Sequence, residues 1–260
     1  MDRSFLSHPD VIAASRKFVC ARLATYESAR EAELLKTIFT GRTGELENTV
    51  FCLLSPDGKQ KLVSAGRSPR WAFQGPEDWA ARSMAHSMNT IATHYKAEEK
   101  PMNAPHTLPA FQDFRLALNI AACDNLPLVI IFAKSEQARQ DLERQVAELA
   151  WNDHFVGHFT YVSVRDPSVF TGAKAVSINE GVIIIQSGTY GLTGDVLVQV
   201  NRNDATYKLK QSLMRALTLH KPEPKDPRSH IATGRRLGVN WQTKIPVTDR
   251  GPRGRPNRRR

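Results

Sequence analysis

Hydrophobic residues recur along this chain at two spacings, and the spacing predicts the element. Residues 1–17 read as the end of a helix and a loop. The apolar stretch FVCARLATY over 18–26 predicts a strand. Ala32, Leu35 and Phe39 then share one face of a helix over 28–39. TVFCLL over 49–54 and KLVSAG over 61–66 predict two strands. Between them Ser55-Pro56-Asp57-Gly58 is a hairpin turn, because Pro presets its own φ and Gly accepts positive φ. Pro76 opens a helix as a first-position residue, with Met84, Met88, Ile91 and Tyr95 as its stripe.

Residues 96–109, KAEEKPMNAPHTLP, interrupt this pattern with three prolines and a charge run, and they read as a linker. The chain before them, 1–95, is one unit. Beyond them, 110–220 reads as a second. Phe111, Phe114, Leu118 and Ala121 mark a helix that Asp124-Asn125-Leu126-Pro127 breaks. LVIIFA over 128–133 is continuously apolar, as expected of a strand buried on both faces. Ala138, Leu142, Val146 and Leu149 mark a helix with Ser135 as its N-cap. A strand follows over 158–164, and strands over 182–187 and 195–200 form a hairpin around GTYGLTG. Leu209, Leu213 and Leu217 define a last helix over 204–219. Residues 221–260 are Pro-rich and polar, and are expected to wrap the surface or trail off.

Composition narrows the class without naming an activity. The 260 residues are 41% hydrophobic and 24% charged, an ordinary globular balance. No run approaches the 18 or so apolar residues of a membrane span, and the first 20 residues lack the apolar core of a signal peptide. Cys20, Cys52 and Cys123 are too far apart for a Cys-x-x-Cys pair or a cysteine-based zinc module. So few cysteines suit a cytoplasmic location; an internal start would hide an export signal. The net charge of +10 owes six arginines to residues 250–260. That tail has no apolar side chain to bury and is expected to be disordered. Arg253, Arg255, Arg258, Arg259 and Arg260 would supply an electrostatic arm for nucleic acid, although no aromatic residue interleaves them for base stacking.

The order helix, β, α, β, short α, β-hairpin, α in the second unit, with ACDNLPLVIIFAKSEQARQDLERQV running from strand into helix, resembles the thioredoxin-like superfamily. In the first unit HPDVIAASRKFVCARLA parallels WNDHFVGHFTYVSV, and TVFCLLSPDGKQKLVSAG parallels VIIIQSGTYGLTGDVLVQV. The resemblance implies an α/β fold of two tandem thioredoxin-like units, each a mixed sheet with a β-hairpin and helices on both faces. The first unit would be incomplete at its N-terminus, because the match enters partway along its first helix. Active members carry Cys-x-x-Cys at the mouth of the helix that follows the central strand. There the positive helix end lowers the first thiol's pKa. Here Ala133–Arg139 contains no cysteine, so thiol–disulfide exchange has no nucleophile. The resemblance also implies peptide binding by strand addition, through Lys134, Ser135, Glu136 and Gln137 and through Asn179, Glu180 and Gly181.

The first unit lacks the family's middle strand, whose loss would leave backbone groups unpaired at about 1–3 kcal/mol each where buried. Three explanations are open: residues upstream of Met1, including a thiol or selenol pair; a strand supplied by the second unit or a second copy; or a rearranged unit. Nor does a proline stand near Thr49, where the family's cis-proline would align. Cys20 and Cys52 would sit on adjacent strands, either close enough to pair or, as the plainer reading has it, buried and reduced; Cys123, ending a helix, reads as inert. His154 and His158 have a helical spacing, but Gly157 and the following strand argue against a metal site. Gly188, Gly191 and Gly194 join two strands, not a strand to a helix, so they do not form a phosphate loop. No cofactor is expected. The leading expectation is a redox-inactive thioredoxin-fold protein that binds protein or peptide. The alternatives are a thiol–disulfide or selenol oxidoreductase with its pair upstream of Met1, and nucleic-acid binding through the tail.

Overall fold

The computed structural model describes residues 5–41, 44–74, 76–95, 107–170, 173–174, 180–204, 206–223 and 225–248. The chain divides into two compact units, residues 1–99 with 241–260, and residues 100–240. Most of the predicted linker, the segment around Asn179 and the arginine tail lie outside the described residues.

In the first unit, α1 (Pro9–Ser15) and α3 (Glu77–Thr93) pack through small and flexible side chains. Val11 and Ala14 of α1 meet a stripe of Ala80, Ala81, Met84, Ala85 and Met88, joined by Leu53 and Phe73. Alanines let the two backbones approach, and methionines fill the irregular remainder. Helix α2 (Ala29–Ile38) is capped by Ser28, whose side chain accepts from the Glu31 N–H. Its inner face, Ala32 and Leu35, packs with Tyr26 and Leu46.

Three expectations for this unit are corrected. Residues 18–26 form no strand: Val19 is 99% exposed, and Tyr26 turns inward instead. Its hydroxyl donates to the Leu46 carbonyl at 3.0 Å, and its carbonyl accepts from the Ile245 N–H at 2.9 Å. Among the described residues no strand lies beside this segment to satisfy its backbone, so its apolar composition does not produce a ladder. Residues 49–54 and 61–66 make only two isolated bridges, Phe51 to Gly66 and Leu54 to Lys61, although the turn forms with Gly58 at φ 72°. Finally, Pro76 is the N-cap of α3 and Glu77 its first residue, while Tyr95 lies beyond its end.

The second unit is a mixed α/β sheet. Its strands are β1 (Ala110–Phe111), β2 (Leu128–Phe132), β3 (Thr160–Val164), β4 (Ala173–Lys174), β5 (Gly181–Ser187) and β6 (Gly194–Asn201), in the order β1-β3-β2-β5-β6-β4. β1, β3 and β2 run parallel, β5 is antiparallel to β2, β6 is antiparallel to β5, and β4 pairs parallel to β6. Helices α4 (Phe114–Asp124) and α5 (Glu136–Ala150) supply the crossovers that parallel strands require, and α6 (Thr206–Leu219) follows β6.

Every residue of β2 is buried, and period two sorts them. Val129 and Ile131 join Tyr161, Ile184, Leu142, Val146, Leu209 and Leu213 on the α5/α6 face. Leu128, Ile130 and Phe132 join Val162, Ile183, Leu118 and Phe170 on the α4 face. Phe111 belongs to β1, not to the helix that its spacing predicts. The polar run after 220 contains a further helix, α7 (Pro227–Arg236), which Asp226 caps by accepting from the Ser229 N–H at 2.8 Å.

Candidate functional site

The chain leaves β2 at Phe132, keeps Ala133 fully buried, and then exposes Lys134, Ser135, Glu136 and Gln137. Ser135 ends this loop because its extended backbone and its hydroxyl suit an N-cap: Oγ accepts from the Ala138 N–H at 3.2 Å. Glu136 is engaged by Arg139, Gln140 and Arg165. The Arg139 guanidinium beside it, then the Gln140 amide, hold its carboxyl below the usual range. The Gln137 amide donates to Asp141 at 3.2 Å.

Glu180 closes the loop from the other side. Its Oε1 accepts from the Lys134 N–H at 3.1 Å, and its Oε2 accepts from Arg202 Nη1 at 3.2 Å. The Lys134 N–H, with Arg202 adding to it, depresses the Glu180 carboxyl below its ordinary range. The next residue, Gly181, has φ 146°, and a Cβ there would lie 2.1 Å from the Val200 carbonyl oxygen. Only glycine lets β5 start this close to β6. Lys134, Ser135, Glu136 and Gln137 thus share an exposed surface with the half-buried Glu180, whereas Gly181 is buried at the start of β5 and Asn179 lies outside the described residues.

Two contributors were not singled out from sequence. Arg202 reaches Glu180 because the hairpin register pairs Gly181 with Asn201, and the register of a long hairpin is not legible in composition. Arg139 is 13% exposed and bonds Glu136, Glu143 and the Ser163 hydroxyl. Its carboxylates at i−3 and i+4 were a readable signal.

This surface holds a capped helix start, a fixed carboxylate and an exposed lysine, with no thiol. Cys123, at the end of α4, precedes the start of β2 and is exposed. The length of β2, about 16 Å, separates that end from the loop. In the first unit Cys20 is exposed, lies on no strand and is free; Cys52 is half-buried and also free. The expectation of two buried core cysteines is therefore corrected: the Cys20 segment never enters a sheet. Burial raises the Cys52 thiol pKa, partly opposed by Lys61, so Cys52 is a poor nucleophile.

His154 and His158 lie in successive turns and are both exposed. A shallow cavity of about 180 Å³ in the first unit is bounded by Ala32, Lys36, Leu46 and Ile245. None of the described helices is long and apolar enough to cross a membrane. No protein-family model, no curated protein and no solved structure matches this chain.

Proposed function

We propose that the second unit is a thioredoxin-like module without redox chemistry, and that it binds an extended peptide at the surface formed by Lys134–Gln137 and Glu180–Gly181. The strand order supports this reading: three parallel strands in the order β1-β3-β2, then the antiparallel hairpin of β5 and β6 beside β2, with a helix starting shortly after β2. One observation carries the redox-inactive part. The β2–α5 loop, where the family's nucleophile would stand, ends on the capping hydroxyl of Ser135 and contains no sulfur. For the first unit the tandem reading rests on the sequence correspondence alone.

The full chain is expected to give no catalysed reduction of insulin disulfides by dithiothreitol above the uncatalysed rate; turnover would overturn the redox-inactive reading. Titration with unfolded, carboxymethylated peptides is expected to shift the backbone amide resonances of Lys134–Gln137 and Gly181. Shifts confined to other regions would move the peptide site elsewhere.

A further inference from the structure

We propose that α7 is a docking element for the phosphate backbone of a nucleic-acid duplex, a partner beyond the peptide surface. Charge is divided unevenly along this chain. Residues 221–260 hold 12 Lys and Arg against 3 Asp and Glu, and so carry +9 of the total +10. Residues 100–220, which build the sheet of the second unit, hold 11 of each sign and are neutral. Among the described residues of this basic region, α7 presents Arg228, Arg235 and Arg236, all exposed. Among the described residues no carboxylate pairs with any of the three. The two nearby acids are already engaged: Glu223 accepts from the Thr189 hydroxyl, and Asp226 caps the helix.

The packing of α7 aims these arginines outward. The Tyr190 ring stacks on His230 with centroids 4.5 Å apart, and its hydroxyl donates to the His230 carbonyl at 3.3 Å. Gly234, buried one turn on, lies so close that a Cβ would sit 3.0 Å from the same ring. His230 and Gly234 therefore define the inner face. At about 100° per residue, Arg228, Arg235 and Arg236 fall within about 60° of the opposite direction. They span about 12 Å of helix, against one phosphate per about 3.4 Å of each strand.

The same face selects among polyanions. The arginine face of α7 carries no aromatic side chain on which to stack an unpaired base, since its one imidazole, His230, is stacked inward on Tyr190; this favours a duplex backbone over a single strand. The exposed large apolar residues Ile231, in α7, and Leu237, its C-cap, lie about 120° apart around the helix axis, so they form no continuous face to insert into a lipid interface. Arg235 and Arg236 also complement the negative end of the helix.

The test is the salt dependence of binding of the full chain to a random-sequence DNA duplex. The logarithm of affinity is expected to fall linearly with the logarithm of salt concentration. Arg228→Gln/Arg235→Gln/Arg236→Gln should reduce the slope by up to about 2.7. The corresponding triple Lys variant should keep the slope, because the contact needs charge and not the guanidinium fork. Unchanged circular dichroism and thermal midpoint establish that both variants fold. Absence of duplex binding at low salt, an unchanged slope in the Gln variant, or a lost slope in the Lys variant overturns the proposal. Tighter, arginine-dependent binding to phosphatidylglycerol vesicles than to the duplex also overturns it, in favour of a lipid partner.

Discussion

The two units bury apolar side chains by different means. In the second, β2 and β5 sit between neighbouring strands, so their backbone groups are paired while their side chains enter cores on both faces. In the first, the extended stretches have two isolated bridges and a few loop bonds, and the core is made by α1 against α3. A helix satisfies its own backbone, whereas an extended segment borrows that satisfaction from a neighbour. The stretches at 18–26 and 128–133 both read as strands in sequence, but only the second, which is apolar throughout, has strands on both sides. An apolar stretch becomes a central strand only where the topology delivers partners.

The largest expected break in this contrast comes from the middle of the sheet. Ile184→Ala empties a fully buried position facing α5 and α6 and should cost about 3–5 kcal/mol in urea unfolding. Hydrogen exchange should show β2 and β5 amides protected to near the global limit, and Phe51 and Gly66 amides opening locally. Equal protection at both places would erase the distinction between ladder and bridge.

Glycine substitutions sharpen the same comparison. Gly181→Ala drives a Cβ into the Val200 carbonyl at φ 146°, for a loss of about 2–4 kcal/mol. Gly58→Ala, at φ 72° with nothing within 4 Å, should cost only about 1–2 kcal/mol. Similar losses at the two sites would show that backbone conformation, not close approach, dominates at Gly181. Smaller still, Ser135→Ala and Ser28→Ala each remove an N-cap hydroxyl, one from each unit, and should each cost about 1 kcal/mol by thermal unfolding.

The subtlest effect is at Glu180, and it depends on pH. Its folded pKa lies below the unfolded value of about 4.3, so its stabilisation is fully present above that value. The stabilisation disappears as pH falls through the folded pKa. Glu180→Gln should therefore be less stable than the parent at pH 7, and the gap should close in acid. A gap that persists below pH 2 would mean that Glu180 acts through packing instead of charge.

Much of the second unit was legible because its signals are local. LVIIFA predicts a doubly buried strand, Ser135 a helix start, and GTYGLTG a hairpin turn. The signal for α7, an Asp-Pro pair at the cap and first position, was also present, but the polar composition around it drew the reading towards an irregular tail. The surface after β2 was legible in part. Lys134–Gln137 follow from the strand–helix junction, whereas Arg202 joins them only through the register of β5 on β6.

By itself, the sequence determined the helices with clear stripes or caps, the central apolar strand, the absence of a thiol after it and the concentration of arginine near the C-terminus. Each depends on residues within a turn or two of one another. Tertiary structure alone decided that 18–26 stays outside any sheet, that 49–66 makes bridges instead of a ladder, and that Glu180 ties Lys134 to Arg202. Strand pairing and ion-pair closure join residues distant in sequence, and local spacing carries no record of which distant backbone arrives to complete them.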